Sequence, residues 1–151
     1  MHHFDGDYAE EVVERLGGIK RDAVPHWGQL RRDTLIEHLI WSLRHSMGKS
    51  RTIPFFGNCF TRCVKRPLVL AGVLPITTAM HLPDHLRHQG LTAREPGDLE
   101  TLQAILEEYL TLVQADELKP APHPTFGRMD IDGWDRFHVL HFEHHLRQFG
   151  T

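Results

Sequence analysis

Residues 134–149 read Trp-Asp-Arg-Phe-His-Val-Leu-His-Phe-Glu-His-His-Leu-Arg-Gln-Phe, and their histidines recur at helical spacing. Because an α-helix turns by about 100° per residue, one narrow stripe of this helix carries His138, His141, His145 and Gln148. Phenylalanines border the stripe, as on a helix face that packs against other parts of a protein. The sequence therefore predicts a buried or pocket-facing row of imidazoles on this helix.

His141 and His145 lie one helical turn apart, which allows two imidazole nitrogens to bind a single metal ion. The alternative is a set of core histidines that hydrogen-bond to one another and to the backbone, and spacing alone does not separate the two. Glu143 lies about 200° round the helix from His141, so the glutamate base of the zincin motifs is not available here. A third ligand is expected from the second helix, where His38 and His45 share one face. Helical periodicity does not indicate which of these two histidines is the third ligand.

The composition is that of one ordinary domain spanning residues 1–151. The chain is 40% hydrophobic and 25% charged, which provides enough apolar surface for a core. Its formal net charge of -3 at pH 7 argues against a nucleic-acid-binding protein, since phosphate recognition needs a basic surface. The first residues are polar and acidic, and no apolar run approaches the roughly 20 residues of a membrane span. Neither export nor membrane insertion is expected, and a cytoplasmic location is predicted.

Two smaller clusters are expected to have no functional role. Cys59 and Cys63 are too few for a disulfide framework and fit a reducing cytosol. Basic residues beside them favour a lowered thiol pKa, but such cysteines are more often small core hydrophobes than a redox pair. His81, His85 and His88 resemble a second ligand set, yet a proline breaks the helix between the first two, so a solvated surface is the better interpretation.

Helical periodicity and capping residues predict four main helices. They extend from Asp7 to Leu16, from Asp33 or Thr34 to Met47, from Asp98 to Val113, and from Asp130 or Asp132 to Gln148. Between the second and the third, prolines allow only short helices, one at residues 57–65 and one after Pro83. No stretch alternates long enough to predict a strand. We therefore predict an all-α fold: an antiparallel four-helix bundle with an elaborated crossover between helices 2 and 3.

Two motifs carry a resemblance to a known family. One is Trp27-Gly-Gln-Leu30, followed by His38 and Gly48; the other runs from His123-Pro-Thr-Phe-Gly through the histidine row to Gly150. They resemble a branch of unknown function in the DinB-like (YfiT-like) metalloprotein superfamily. The resemblance implies a four-helix bundle that holds one divalent metal ion, zinc or nickel, through three histidines. These map onto His38, His141 and His145.

The resemblance also implies a range of functions. Other members of the superfamily take part in thiol-dependent transfer or isomerisation with bacillithiol, mycothiol or glutathione. Three protein ligands leave a coordination position open, which can hold a water of lowered pKa or a substrate thiolate. We therefore expect a metal-dependent transferase or hydrolase acting on a small molecule or a low-molecular-weight thiol, with His138 as a candidate acid or base. A homodimer is expected as well.

Two alternatives remain open at this stage. In one, the protein is a non-catalytic metal-binding or stress-associated module whose site is structural or vestigial. In the other, it is a helical interaction protein whose histidines only hydrogen-bond within the core, so that chelators leave its thermal stability unchanged. An open position facing a pocket would favour the enzyme, whereas a fourth protein ligand or a sealed site would favour a structural metal. Substrate specificity is expected in the crossover, residues 51–92, where the superfamily match is weakest.

Overall fold

The computed structural model describes residues 2–50, 53–76 and 83–151. Within these ranges the fold is all-α, as predicted, with six α-helices, no strand and one isolated bridge between His123 and Gly127. A π-helical turn, Thr61–Lys65, leads directly into the third helix. The helices are α1 (Gly6–Gly18), α2 (Arg32–Ser46), α3 (Arg66–Leu70), α4 (Asp84–His88), α5 (Leu99–Gln114) and α6 (Ile131–Gln148). In these described ranges, no helix combines the length and the apolar character needed to cross a membrane.

Three of the four long helices, α1, α5 and α6, begin at aspartate caps, and the caps of α5 and α6 lie where the sequence predicts them. The Asp98 carboxylate accepts a hydrogen bond from the Thr101 amide at 2.9 Å at the start of α5. Asp130 accepts one from the Gly133 amide at 2.8 Å at the start of α6. A cap of this kind stabilises a helix by about 1 kcal/mol, because it satisfies an amide that has no partner within the helix. Both caps, and the end of α6 at Gln148, agree with the sequence prediction.

The start of α2 differs from the prediction. The helix begins at Arg32, and its cap residue is Arg31 rather than Asp33 or Thr34. The Thr34 hydroxyl accepts a hydrogen bond from the Arg31 amide at 2.9 Å and donates one to the Arg31 carbonyl oxygen at 3.0 Å. Thr34, inside the first turn, therefore hydrogen-bonds to the backbone of the cap residue Arg31. Sequence spacing does not distinguish this role from that of a cap.

One hydrophobic core holds α1, α2, α5 and α6 together. Its most deeply buried side chains recur every three or four residues on each helix: Val12 and Leu16; Leu35, Leu39 and Leu43; Leu102, Leu106 and Tyr109; Phe142 and Leu146. This is the helical period that the sequence predicts for a face turned towards a core. Burying each of these side chains contributes roughly 1.5–3 kcal/mol to stability.

The crossover between α2 and α5 sets the direction in which α5 runs. The Glu95 amide, just before α5, donates a hydrogen bond to the Glu37 carbonyl oxygen in the first half of α2 at 3.1 Å. Lys49, just after the end of α2, pairs with Glu108 in the second half of α5. Residues 47–98 thus carry the chain back along α2, and α5 runs in the same direction as α2.

α1 and α6 also run in the same direction. The Tyr8 hydroxyl donates to the Val139 carbonyl oxygen at 3.4 Å, and Arg15, two turns further along α1, donates to the Thr151 carbonyl oxygen at 2.8 Å. These two parallel pairs depart from the antiparallel arrangement predicted from the sequence. The physical reason is the crossover, which returns the chain to the level at which α2 begins before the next long helix starts.

The short helical segment of the crossover overlaps the predicted residues 57–65 and ends five residues later, at Leu70. It consists of the π-helical turn and α3, and it extends past Pro67 to Leu70. Pro67 stands in the first turn of α3, a position at which proline is common.

The other predicted short helix forms as α4, directly after Pro83. Its histidines, His85 and His88, are exposed, in agreement with a solvated surface. His81, the third member of that set, lies outside the described residues.

Candidate metal centre

The structure brings together three histidines from two helices. His38 lies on α2, His141 and His145 lie on α6, and one ring nitrogen of each is within 4.8 Å of the other two. The Nε2 atoms of His38 and His141 are 2.9 Å apart, and those of His145 and His141 are 3.1 Å apart. All three side chains are buried. His45, the other candidate for the third ligand, instead donates through Nε2 to the Pro122 carbonyl oxygen at 2.9 Å.

Hydrogen bonds on the outer side of the rings determine where the ring hydrogens lie. His38 Nδ1 is 2.7 Å from the Ala93 carbonyl oxygen, and His145 Nδ1 is 2.8 Å from the amide oxygen Oε1 of Gln148. Both Nδ1 atoms must donate, because a carbonyl oxygen only accepts hydrogen bonds. In the neutral rings, both Nε2 atoms therefore carry a lone pair. Outer partners of this kind hold the orientation of metal-binding histidines.

His141 lies between the other two rings and cannot donate a hydrogen bond to both of them. Its Nε2 faces the lone pairs of His38 and His145, and a neutral imidazole has a single hydrogen to donate. Its Nδ1 lies 3.4 Å from the Ser42 hydroxyl oxygen. At least one of the two Nε2 contacts therefore sets a lone pair against a lone pair. A cation among the three rings would accept all three lone pairs and remove this conflict.

Protonation of the rings is a poor substitute for such a cation. Burial lowers the pKa of His38, and it lowers the pKa of His141 well below the usual value. Burial and the neighbouring His38 together lower the pKa of His145 to about 3. At neutral pH the cluster is therefore three neutral imidazoles, a donor set that suits zinc, nickel or copper better than magnesium or calcium.

The spacing of the three nitrogens also suits a metal. A tetrahedral zinc ion with Zn–N bonds of 2.0–2.1 Å separates two ligand nitrogens by about 3.3 Å. The separations of 2.9 and 3.1 Å between the Nε2 atoms fall short of this by a few tenths of an ångström. Small side-chain movements are enough to close that difference, so the residues present fit a divalent ion.

The same residues lie within a family match that covers almost the whole chain. The family model described as "Protein of unknown function (DUF1569)" matches residues 5–151. The chain belongs to the DUF1569 family. Searches among curated proteins and solved structures gave no match.

In this DUF1569 protein, Glu143 faces away from the metal centre, as the helical angle predicts. Its carboxylate is 2.8 Å from Arg15 and accepts a hydrogen bond from the Tyr8 hydroxyl at 3.1 Å. The Arg15 guanidinium lowers the pKa of Glu143 against the opposing effect of burial. Although Glu143, His2 and Glu11 lie close enough together to hold an ion, Glu143 already has a cationic partner. Its role is to join α1 to α6.

His138, the candidate acid or base, is not part of the triad. Its Nε2 lies 3.0 Å from the Ser46 hydroxyl oxygen, and Ser46 in turn donates to the Leu43 carbonyl oxygen at 2.7 Å. Ser46 therefore accepts the hydrogen of His138 Nε2, which leaves Nδ1 as a bare acceptor. The ring is fully buried, and burial lowers its pKa to about 3. The acid or base role of His138 stays a prediction.

A small cavity of about 10 Å³ adjoins His141, between α2, α6 and the loop before α6. Its volume is at the lower limit for holding one water molecule. The lining side chains are mostly aromatic or imidazole: Trp41, Ser42, His45, His123, Pro124, Trp134, Phe137 and His141. The space beside the triad is therefore narrow, and its surface is mostly apolar.

His123 in this lining is a residue that the sequence did not indicate as part of a site. Its Nδ1 accepts hydrogen bonds from the Thr125 and Phe126 amides, both at 3.1 Å, so its Nε2 carries the ring hydrogen. Three buried nitrogens here have no hydrogen-bond partner among the described residues: this Nε2, Trp41 Nε1 and His45 Nδ1. The proline-rich loop around His123 has no periodicity that could have predicted its position, whereas Trp41 follows His38 by one helical turn.

Proposed function

We propose that this DUF1569-family chain is a metal-binding protein in which His38, His141 and His145 hold one divalent ion, zinc or nickel, on a four-helix bundle of the DinB-like type. The observation that carries the proposal is the convergence of three neutral Nε2 atoms that protein hydrogens alone cannot satisfy. Four long helices that share one core support the bundle.

The proposed activity is that of a metal-dependent transferase using a low-molecular-weight thiol, or of a hydrolase. A divalent ion with three protein ligands and an open position acts as a Lewis acid that lowers the pKa of a bound water or thiol. The protein contributes the orientation of the ligands: Ala93 and Gln148 hold the outer nitrogens of His38 and His145. The apolar surroundings exclude bulk water, which strengthens electrostatic interactions at the ion.

A second candidate function is a metal-binding module without catalysis, in which the ion is structural or the site vestigial. The narrow access favours it, because the three triad side chains are only 6–8% exposed and the adjoining cavity is about 10 Å³. The two candidates share the metal and differ in whether a small molecule reaches it. The homodimer, the thiol partner and the cytoplasmic location remain predictions.

The metal itself is tested by elemental analysis of untagged protein purified without a nickel column. We expect about one divalent ion per chain, since one triad is present and three imidazoles form one site. Dialysis against a chelator should remove the ion, and zinc or nickel should restore it. Protein that contains no metal as purified and takes up none on reconstitution would contradict the proposal.

Access to the ion is tested on cobalt-substituted protein by adding a small thiol such as 2-mercaptoethanol. The protein used is the Cys59→Ser, Cys63→Ser variant, so that no thiol of the chain itself contributes. If the fourth position is open, we expect a thiolate-to-cobalt charge-transfer absorption, because thiolate is a strong ligand for such ions. The S-methyl analogue of the thiol is the control and should produce no band. Absence of the band with the thiol would favour the non-catalytic module.

A further inference from the structure

The two cysteines of the chain form an exposed pair, contrary to the core position expected from the sequence. Both Cys59 and Cys63 are free and exposed, and their sulfur atoms are 3.6 Å apart. Free cysteine is among the most buried residue types, because it behaves as a small hydrophobe. Packing therefore does not account for two thiols that face solvent side by side. Their reactivity remains as the property to be explained.

The contact between the two sulfur atoms affects the ionisation of Cys59. Hydrogen bonding with Cys63, followed by the charge of Cys63, raises the pKa of Cys59, against a smaller opposing effect of Arg62. Its contact with Cys63 therefore holds the proton on Cys59. A thiolate beside a retained thiol is the arrangement in which one sulfur attacks first and the other completes the exchange.

The local backbone brings the pair together in a segment that is anchored elsewhere. Cys59 precedes the π-helical turn and Cys63 lies within it, four residues apart on one side of the helical segment. The turn is attached to the loop before α6, since the Thr61 hydroxyl donates to the Thr125 carbonyl oxygen at 2.9 Å. Bond formation requires the two sulfur atoms to approach by about 1.5 Å, down to the length of an S–S bond, which is within the range of side-chain rotation.

We propose that Cys59 and Cys63 form a reversible intrachain disulfide by exchange with a low-molecular-weight disulfide. The Cys63 thiolate attacks one sulfur of the small disulfide, whose S–S bond breaks and releases one thiolate, leaving a mixed disulfide on Cys63. Cys59 then loses its proton to solvent and attacks the Cys63 sulfur, releasing the second small thiolate. The small disulfide is reduced to two thiols, and the protein is oxidised by two electrons. This proposal is independent of the metal centre.

The pair offers two sulfur ligands and no third group for a closed metal site. Among the described residues, the clusters of three or more metal-binding side chains do not include either cysteine. A disulfide therefore uses both thiols without requiring any further residue.

The test is to equilibrate the full-length, reduced protein with graded mixtures of oxidised and reduced glutathione and to measure intact mass and free thiols. We expect both thiols to disappear together, with a mass loss of two hydrogen atoms per chain and no accumulating glutathione adduct. Proteolysis should yield one peptide bridging residues 59 and 63, and a dithiol reductant should restore the starting mass.

Single variants separate an intrachain bridge from two independent thiols. Cys59→Ser should accumulate the glutathione adduct on Cys63, because the second sulfur needed to release it is missing. Cys63→Ser should accumulate the adduct on Cys59 for the same reason, and it removes the sulfur that raises the pKa of Cys59. Both side chains are exposed, so neither change disturbs the core. A persistent adduct on the wild-type protein, loss of one thiol at a time, or disulfide-linked dimers on a non-reducing gel would overturn the proposal.

Discussion

His141→Ala is expected to abolish metal binding at neutral pH. His141 is the ring whose Nε2 contacts both of the others, at 2.9 and 3.1 Å, so its removal leaves His38 and His145 without a shared third ligand. Loss of a ligand should reduce the affinity for zinc by more than the roughly 10–100-fold that loss of an outer hydrogen-bond partner costs. Isothermal titration of the chelator-treated protein with zinc measures the change directly.

Thermal unfolding provides a second measurement of the same variant. Metal at about 1,000 times its dissociation constant stabilises a protein by roughly 4 kcal/mol, because it binds the folded state alone. The wild-type Tm should therefore rise on adding zinc, and the Tm of His141→Ala should not. His85→Ala removes an exposed imidazole and is the matched control; it should retain the full rise. An unchanged zinc affinity in His141→Ala would contradict the assignment of the triad.

The zinc affinity of Gln148→Ala should lie between the affinities of His141→Ala and His85→Ala. The Gln148 amide oxygen holds His145 Nδ1 at 2.8 Å without touching the inner nitrogens. Its removal is expected to weaken zinc binding by about 10–100-fold, which is the usual effect of losing an outer partner. The graded series of Gln148 and His141 variants distinguishes a metal site from a hydrogen-bonded core cluster. In such a cluster, neither variant would change any metal-dependent property.

The parts of this protein that the sequence predicts well are those that depend on local interactions. The stripe of α6 follows from the helical period, and the Asp98 and Asp130 caps follow from short-range competition for unpaired amides. Glu143 faces away from the triad for the same geometric reason. Each of these features involves residues within about one turn of one another, so neighbouring sequence contains the required information.

The choice between His38 and His45 could not be made from the sequence, because both lie on one face of α2. The choice depends on how far α2 is shifted along α6, and that shift is determined by the core and by the crossover. The structure places His38 opposite His141 and directs His45 to the Pro122 carbonyl oxygen. Tertiary packing, rather than helical periodicity, determines which of the two histidines faces His141. The family resemblance supplied it in advance by mapping His38 onto a ligand.

The histidine stripe of α6 also divides into two environments that periodicity does not separate. His141 and His145 face His38, whereas His138 stacks against Trp134 and bonds to Ser46. For His138, the alternative of a hydrogen-bonded core histidine describes its contacts correctly. Sequence reasoning also failed at Cys59 and Cys63, because the exposure of a short crossover helix depends on contacts with distant loops.

The buried histidines have a consequence for stability that does not depend on the bound metal. Burial lowers the pKa of His45, His123 and His138, and that of His138 falls to about 3. An unfolded histidine has a pKa of about 6.5, so below this value the unfolded chain binds protons that the folded chain excludes. The contribution of these neutral rings to stability is therefore fully present above about pH 6.5, and it is lost as the pH falls towards their folded-state pKa values.

We expect His138 to lower the free energy of unfolding by about 2 kcal/mol between pH 7 and pH 5, and His45 and His123 to act in the same direction. A loss of this size is a substantial part of the roughly 5–15 kcal/mol stability of an ordinary domain. The three rings of the metal centre act in the same direction once the ion is removed, because burial lowers their pKa values as well. Urea unfolding with excess chelator, repeated across this pH range, measures the decline.

The variant His138→Gln isolates one contribution to this decline. Glutamine can still donate to the Ser46 hydroxyl oxygen but does not titrate, so the pH-dependent loss between pH 7 and pH 5 should shrink by about 2 kcal/mol. His85→Gln, at an exposed position, should leave the loss unchanged. An equal decline in His138→Gln and the wild type would mean that this ring is protonated in the folded state. Because most carboxylates stay ionised above pH 5, the difference between the two variants reports on imidazole protonation rather than on the acidic residues.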